Sequence, residues 1–160
     1  MPDTVTNVVI AGLGGQGVLK ASSILAEAAF RAGLDVKCSE IHGMSQRGGS
    51  VSTDIRFGDE VLSPMVPTGE ADFLVVLSAD QVDNNRHCLH EGGTLITVDA
   101  MDENALPNKR SINVALLGVL SAHLDIPREH WLGAVAASFP AALQDANEKA
   151  FLIGHAAAKK

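Results

Sequence analysis

The topology of this chain follows from one stretch near its start, Val8-Val9-Ile10-Ala11-Gly12-Leu13-Gly14-Gly15-Gln16-Gly17. An apolar run precedes the glycines, and residues 18–32 follow them with apolar side chains at helical spacing. Gly12, Gly14 and Gly17 match the pattern G-x-G-x-x-G in the strand-to-helix context that the pattern requires. In that context the glycines permit a tight turn, and the helix directs backbone N–H groups toward an anion. The stretch is either a cradle for a phosphate or carboxylate or a turn of the same shape without a ligand.

Hydrophobic periodicity predicts the other elements. Strands are predicted at residues 34–39, 50–57, 73–77 and 94–98, and helices at 79–90 (ending at Gly92-Gly93), 113–124, 127–137 and 141–158. The first strand, helix and second strand form a βαβ unit, for which parallel pairing is the default. Gly58-Asp59 predicts a hairpin that returns over residues 60–63, and a hairpin here predicts a mixed sheet. The predicted fold is a three-layer α/β/α, Rossmann-like single domain over residues 1–160, with a mixed, mostly parallel sheet and a helical C-terminal segment.

The composition excludes several functional classes. The chain carries 12 Lys and Arg against 19 Asp and Glu, a net charge of −7, with one Trp and no Tyr. It therefore lacks the cationic field and the stacking side chains of a nucleic-acid-binding protein. No window has the form of a signal peptide, and no apolar run approaches the roughly 20 residues of a membrane span. The isolated Cys38 and Cys88 argue against an iron–sulfur cluster or a structural zinc. We expect a cytoplasmic protein without nucleic-acid or membrane partners.

A polar, glycine-rich segment follows the predicted second strand, Glu40-Ile41-His42-Gly43-Met44-Ser45-Gln46-Arg47-Gly48-Gly49. Ligands of open α/β sheets bind at the carboxyl ends of the strands, so this segment and the glycine turn are expected to share one rim. Arg47, beside Gln46, has the planar guanidinium that suits a carboxylate or phosphate, and His42 could donate to the same group or move a proton. Alternatively, Gln46 and Arg47 satisfy carbonyl groups of the loop itself or bridge to another subunit.

Glu40 supports a competing hypothesis, a nicotinamide-dinucleotide site. It stands at the end of the predicted second strand, where a dinucleotide-binding fold places the acid that binds a ribose hydroxyl. Against this hypothesis, Gly15-Gln16 is an unusual pair in the motif, and a glycine-rich loop follows Glu40. The remaining chain is also too short for a substrate domain, so a complete dehydrogenase is not expected.

The histidines give a weaker signal. His87 and His90 stand at i, i+3 spacing with Cys88 between them, a spacing that could hold a metal. No third ligand at a clear spacing accompanies them, so two solvated histidines are favoured and no metal site is predicted. No Ser/His/Asp set or carboxylate pair stands out, and no nucleophile is proposed.

Two motifs together resemble a known family. They are Gly12-Leu13-Gly14-Gly15-Gln16-Gly17-Val18 and Glu40-Ile41-His42-Gly43-Met44-Ser45-Gln46-Arg47-Gly48-Gly49-Ser50-Val51. Both are similar to the gamma-type domain of 2-oxoacid:acceptor oxidoreductases, and the nearest branch is the beta subunit of indolepyruvate:ferredoxin oxidoreductase. Shorter matches extend over nearly the whole chain, at Arg56-Phe57-Gly58, Ser63-Pro64, Gly69-Glu70-Ala71-Asp72, Gly92-Gly93, Asn147-Glu148-Lys149-Ala150-Phe151 and Gly154.

This resemblance implies a subunit rather than a self-sufficient enzyme. In that family a large alpha subunit holds thiamine diphosphate and iron–sulfur clusters, and the complex converts a 2-oxoacid to an acyl-CoA and reduces ferredoxin. This chain would bind no cofactor tightly. It would instead support the partner's active site, or coenzyme A at the interface, through Gly12, Gly14, Gly15, Gln16, Gly17, Glu40, Arg47, Gly48 and Gly49, with His42 and Gln46 in supporting roles. A phenylglyoxylate-type subunit, a free-standing NAD- or FAD-binding module and a pure assembly subunit are the alternatives.

Overall fold

The computed structural model describes residues 4–42 and 49–158. The strands of this part of the chain are β1 (Val5–Leu13), β2 (Asp35–His42), β3 (Ser50–Gly58), β4 (Ala71–Val76) and β5 (Leu89–Thr97). The helices are α1 (Val18–Arg31), α2 (Val82–Asn85), α3 (Ile112–Ser121), α4 (Arg128–Ser138) and α5 (Ala141–Ala158), joined in places by short 3₁₀ turns. Within these described ranges, no helix has the length and apolar character needed to cross a bilayer.

The sheet of the described residues has five strands in the order β2-β3-β1-β4-β5. β4 is parallel to β1 and β5 is parallel to β4. β3 is antiparallel to both of its neighbours, β1 and β2. The predicted α/β fold with a mixed sheet is confirmed, and four of the five strands run in one direction. The expected pairing of the first two strands is wrong, because β2 turns back into β3 and β3 is inserted beside β1.

The predicted hairpin strand at residues 60–63 is also wrong. β3 already pairs on one side with β2 and on the other with β1, so no edge remains for a returning strand. The chain leaves the sheet after Gly58 and continues as a segment that we call the strap, residues 59–68. Val61 in the strap is buried, and its N–H donates to Asp35 Oδ2 at 2.8 Å rather than to another strand.

One side of the sheet, the helix face, holds most of the core. Val8 and Ile10 of β1 and Ile55 and Phe57 of β3 point to this side, and the four long helices complete the core against it. The largest fully buried side chains on these helices are Ile24, Leu25, Leu116, Leu117, Leu120, Trp131 and Phe151. The helix face is therefore sealed by apolar packing.

The other side, the strap face, has a thinner cover. Val9 of β1 and Leu74 and Val76 of β4 pack there against Val66 of the strap and Val82 of α2, with smaller contributions from neighbouring side chains. Because strand side chains alternate between the two faces, the residues of β3 that the sequence pattern places outward point to this side. The strap and α2 thus take the place of a helical layer.

The helix predicted over residues 79–90 is wrong in this region. α2 has four residues and is flanked by 3₁₀ turns at Ala79–Gln81 and Arg86–Cys88. Polar side chains compete there for backbone groups, as when Asn85 Nδ2 donates to the Gln81 carbonyl at 2.8 Å. Gly92-Gly93 does not end a helix but lies within β5, whose register against β4 shifts at this point.

Candidate functional site

The glycine turn joins β1 to α1 at the carboxyl edge of the sheet. Gly15 and Gly17 have φ values of +87° and +83°, in the left-handed region that favours glycine. A Cβ on Gly17 would lie 2.4 Å from Asn113 Nδ2, and a Cβ on Gly12 would lie 2.8 Å from Gln16 Oε1. These glycines are therefore required by backbone conformation and by close approach, whether or not a ligand binds.

Gln16 closes the turn from within. Its side-chain Oε1 accepts a hydrogen bond from the Leu13 N–H at 2.7 Å, and its backbone N–H donates to the Leu13 carbonyl at 3.2 Å. The amide oxygen of Gln16 thus satisfies the backbone N–H of the last residue of β1. This internal contact accounts for the unusual Gly15-Gln16 pair in physical terms.

The structure brings the glycine turn and the end of the polar segment together. The Gly14 N–H donates to the Gly49 carbonyl at 2.9 Å, and Leu13 pairs with Ser50 in the β1–β3 register. Both stretches therefore lie at the same edge of the sheet, as the predicted rim requires. Gly43 to Gly48, including Gln46 and Arg47, lie outside the described residues, as does the side chain of His42.

Glu40 lies on β2, away from the glycine turn. It pairs with Thr53 of β3, and Thr53 in turn pairs with Ile10 of β1. Neighbouring strands are about 4.8 Å apart, so Glu40 is on the order of 10 Å from β1 across the sheet. In a dinucleotide-binding fold the acid-bearing strand adjoins the first strand directly. The inserted β3 therefore removes the geometry on which the nicotinamide hypothesis depends.

A cleft of about 410 Å³ opens beside the glycine turn. Gly15, Gln16 and Gly17 form one wall, and Arg110 and Asn113 lie on the other. The Asn113 Nδ2 donates to the Gly17 carbonyl at 3.2 Å, which ties α3 to the start of α1. The first backbone N–H groups of a helix together with a guanidinium favour an anionic ligand. Sequence reasoning missed Arg110 and Asn113, because nearly a hundred residues separate them from the glycines.

A second cleft, of about 360 Å³, lies on the strap face. Asp54 at its base is 7 % exposed, and its Oδ2 accepts a hydrogen bond from the Val66 N–H at 2.9 Å. Burial raises the pKa of the Asp54 carboxyl above its ordinary value, and the Val66 N–H and Arg56 oppose that rise only in part. Asp54 was not predicted from the sequence, because the alternation of apolar and polar side chains along β3 places it on the solvent side of the strand.

The cysteines and histidines form no metal centre in the described ranges, where no group of three potential ligands comes together. Burial raises the pKa of the Cys88 thiol, with a further contribution from Asp54. The Cys88 Sγ lies 3.7 Å from His87 Nε2, whereas His90 Nε2 lies 3.3 Å from Asp72 Oδ1 at a different site. The two histidines therefore have separate partners.

Fold and geometry together define an α/β protein with a glycine turn and a polar segment at the carboxyl edge of a mixed sheet. The family model for pyruvate ferredoxin/flavodoxin oxidoreductase matches residues 7–109, more than half of the chain. The chain belongs to this family. Its relatives are subunits of 2-oxoacid oxidoreductases.

Two curated relatives illustrate the extent of the match. The indolepyruvate oxidoreductase subunit IorB of Pyrococcus horikoshii is 36 % identical in an alignment of 196 positions that covers 96 % of each protein. The subunit of the same name from Thermococcus kodakarensis is 50 % identical over 93 residues, which cover 57 % of this chain and 45 % of that relative. The second identity is thus the higher of the two but covers a shorter part of this chain.

Two solved structures share the fold. The gamma subunit of a keto/oxoacid ferredoxin oxidoreductase from Geobacter sulfurreducens PCA superposes with a TM-score of 0.82 at 25 % identity, covering 96 % of this chain and 98 % of that one. The 2-oxoglutarate:ferredoxin oxidoreductase of Magnetococcus marinus, solved with 2-oxoglutarate, coenzyme A and succinyl-CoA bound, gives a TM-score of 0.83 at 20 % identity. The match covers 97 % of this chain but 31 % of that one, so the same fold also occurs as one part of a longer polypeptide.

Proposed function

We propose that this chain is the small, non-thiamine-binding subunit of a 2-oxoacid:ferredoxin oxidoreductase that converts an aryl 2-oxoacid such as indolepyruvate to an acyl-CoA. The observation that supports this most is the 36 % identity to an IorB subunit over 96 % of both proteins. In the proposal, a large alpha subunit holds thiamine diphosphate and the iron–sulfur clusters and passes electrons to ferredoxin. This chain contributes the rim beside that active site.

The residues of this chain do not fit an iron–sulfur cluster. Such clusters are held by four thiolates, and the sequence has two cysteines, Cys38 and Cys88. Burial raises the pKa of both thiols, and a nearby carboxylate adds to the rise in each, which favours the protonated form over the thiolate that a metal requires. The cluster ligands are therefore assigned to the partner.

The cleft beside the glycine turn fits an anionic group of coenzyme A. Gly15, Gln16 and Gly17, which lead into α1, and Arg110 line the same space. Helix N-termini and guanidinium groups both stabilise phosphates, and two together hold one in a fixed orientation. We assign this cleft to a phosphate of coenzyme A at the subunit interface. Gln46 and Arg47, on the neighbouring segment, are proposed to support the same group or the entrance to the partner's active site.

Steady-state kinetics of the reconstituted complex test the assignment through Arg110→Ala. We expect the KM for coenzyme A to rise about tenfold, as for loss of one charge-assisted contact, with kcat and the KM for the 2-oxoacid unchanged. Arg128→Ala is the matched control, since Arg128 is an exposed arginine on α4 outside the cleft. An unchanged KM for coenzyme A in Arg110→Ala would remove the phosphate from this cleft. Arg47→Ala tests the neighbouring segment in the same assay.

Three measurements separate the remaining alternatives, and the first is calorimetry of the isolated chain. Micromolar binding of NAD or FAD would favour a free-standing nucleotide-binding module, which the separation of Glu40 from the glycine turn disfavours. If variants of the rim assemble normally and leave all kinetic constants unchanged, the chain is an assembly subunit. Comparison of indolepyruvate with phenylglyoxylate as substrate decides between the two aryl branches.

A further inference from the structure

The cleft on the strap face contains a carboxyl group with one free acceptor. Asp54 is 7 % exposed, and its Oδ2 accepts from the Val66 N–H at 2.9 Å. The other oxygen, Oδ1, has no hydrogen-bond partner among the described residues. It is nevertheless accessible from outside, because the one fully buried side-chain polar atom without a partner in the described ranges is Trp131 Nε1. The Asp54 Oδ1 is therefore an acceptor that is open to the cleft.

Gln81 supplies a donor to the same cleft. This side chain is 8 % exposed, and its Oε1 accepts from Asn84 Nδ2 at 3.5 Å. Its Nε2 has no partner in the part of the chain that the structure describes, and it too is not among the fully buried atoms. Asp54 and Gln81 are thus both more than nine-tenths buried, and each keeps one free polar atom at this cleft. Buried polar groups gain most from a partner, so this pair points to a ligand.

The electrostatics of the cleft disfavour an anion. No lysine or arginine from the described residues lines it. Burial raises the pKa of Asp54, and the Arg56 guanidinium opposes this only in part, since it donates to Asn7 Oδ1 and to the Ser63 carbonyl rather than to Asp54. Asp54 in turn contributes to the raised pKa of the Cys88 thiol, which lines the same cleft. The potential in the cleft is therefore negative at neutral pH.

The size and lining of the cleft suit a small molecule with an apolar body. Its volume of about 360 Å³ is at the lower end of the range for small-molecule sites. Apolar side chains contribute to the lining, among them Val9, Val51, Met65 and Val66. A few convergent polar groups within such a lining fix the orientation of a ligand and determine its chemical class.

We propose that this cleft binds an uncharged small molecule with a carboxamide-type edge, whose N–H donates to Asp54 Oδ1 and whose carbonyl accepts from Gln81 Nε2. A carboxamide has one donor and one acceptor side by side, as this pair requires. A carboxylate would place a second acceptor against Asp54, and an amidinium would place a second donor against Gln81. The cleft shares no lining residue with the one beside the glycine turn, so the proposal does not depend on the proposed function.

Three probes of the same shape test the proposal: benzamide, benzoate and benzamidine. Each is titrated into the full chain labelled with nitrogen-15, and binding is followed by NMR. Benzamide should bind in the millimolar range, as fragments of this size do, and should shift the signals of the Val66 N–H and of the Gln81 side-chain amide. Benzoate and benzamidine should bind at least about tenfold more weakly, because each leaves one buried polar group facing an atom of its own kind.

Asp54→Asn provides the sharpest test, because it should reverse this preference. The new amide keeps an oxygen for the Val66 N–H and replaces the free acceptor with a donor. Benzoate should then bind more tightly than benzamide, a result that a purely structural role of Asp54 would not produce. Gln81→Leu should weaken benzamide about tenfold through the loss of one buried contact. The matched control is Asp35→Asn, since Asp35 holds the Val61 N–H in the same way, at 2.8 Å, but lies outside the cleft.

The titration of the wild-type chain decides the proposal even if a variant does not fold. Absence of benzamide-induced shifts at saturating concentration would overturn the site. Tighter binding of benzamidine would assign the cleft to a cation, and tighter binding of benzoate would assign it to an anion; either result overturns the proposed class. If benzamide binds the wild type, Asp54→Asn and Gln81→Leu equally well, its site lies elsewhere and the proposal fails. Circular dichroism and the melting temperature establish that each variant is folded.

Discussion

The two faces of the sheet are stabilised by different interactions. The helix face is closed by four long helices and by fully buried apolar side chains such as Leu116, Trp131 and Phe151. The strap face is closed by a loop and one short helix, and charged side chains of β2 and β3 hold that loop through its backbone. The tightly packed helix face tolerates little added volume, whereas opening of the strap would break its hydrogen bonds to the sheet and expose only Val61 and the small cluster around Val66.

This difference assigns separate roles to the two faces. The helix face carries most of the stability of the molecule. The strap face displays apolar side chains on an ordered loop and lies next to the rim formed by Gly14 and Gly49. Substitutions on the helix face should therefore change the free energy of unfolding, and substitutions on the strap face should change local opening and pH dependence.

The largest effect is expected where α3 and α5 touch. A Cβ on Gly154 would lie 1.8 Å from the Ala115 carbonyl oxygen, a backbone atom that cannot move without separating the helices. Gly154→Ala should lower the free energy of unfolding by about 3 kcal/mol, the upper part of the usual cost of overpacking a core. Chemical denaturation followed by circular dichroism measures this change.

Gly133 on α4 is the matched control for Gly154. A Cβ there would lie 2.8 Å from Arg31 Nη1, the end of a flexible and partly exposed side chain that can move aside. Gly133→Ala should leave stability unchanged or raise it by up to about 1 kcal/mol, because alanine favours a helix interior over glycine. Equal losses in the two variants would show that contact between α3 and α5 does not limit the stability of the helix face.

The helix face was predictable from the sequence, whereas the strap face was not. Apolar side chains at helical spacing predict α1, α4 and α5, each of which buries one side, whereas α3 is predicted by a nearly continuous apolar run because it is buried on all sides. The alternation of Thr53, Ile55 and Phe57 likewise predicts β3. The local turn signal Gly58-Asp59 nevertheless predicts a partner for β3 at residues 60–63, because the true partner, β1, is some fifty residues earlier in the chain.

The candidate site was also predictable from the sequence only in part. The glycine turn and the meeting of Gly14 with Gly49 follow from the rule that ligand-binding loops gather at the carboxyl edge. The wall formed by Arg110 and Asn113 arises only when α3 packs beside α1, which no local pattern encodes. Asp54 and Asp35 look like solvent-facing strand residues in the sequence, because their partners are backbone N–H groups of the strap.

An intermediate effect is expected on the strap face from Asp35→Ala. This variant removes the acceptor of the Val61 N–H, so the strap should open locally while the helix face stays intact. Global stability should fall by about 1 kcal/mol, the net value of one hydrogen bond, and amide hydrogen exchange at Val61 should become several-fold faster. Lys37→Ala is the control, since the Lys37 ion pair with Asp35 is long, at 4.0 Å, and exposed. Unchanged exchange at Val61 in Asp35→Ala would mean that burial of Val61 alone holds the strap.

The smallest expected effect is a change in the pH dependence of stability when Asp54 is replaced. Burial raises the pKa of this carboxyl in the folded state, so the folded protein binds the proton more tightly than the unfolded chain does. The stability that this group contributes is full below the ordinary Asp pKa of about 4 and is lost as the pH rises through the raised folded-state pKa. Asp54→Asn retains an oxygen for the Val66 N–H but removes the titration. The change in the free energy of unfolding between pH 4 and pH 7 should therefore differ between the variant and the wild type by less than about 1 kcal/mol. The variant should become more stable relative to the wild type as the pH rises to 7.

Denaturant titrations at a series of pH values measure this difference, with Asp59→Asn as the exposed control on the strap. Identical pH dependence in Asp54→Asn and the wild type would show that the cleft is wet enough to solvate the carboxylate fully. A difference of the expected sign would instead show that the Asp54 carboxylate is less well solvated in the folded protein than in the unfolded chain. The titration of Asp54 therefore reports how far water enters the cleft on the strap face.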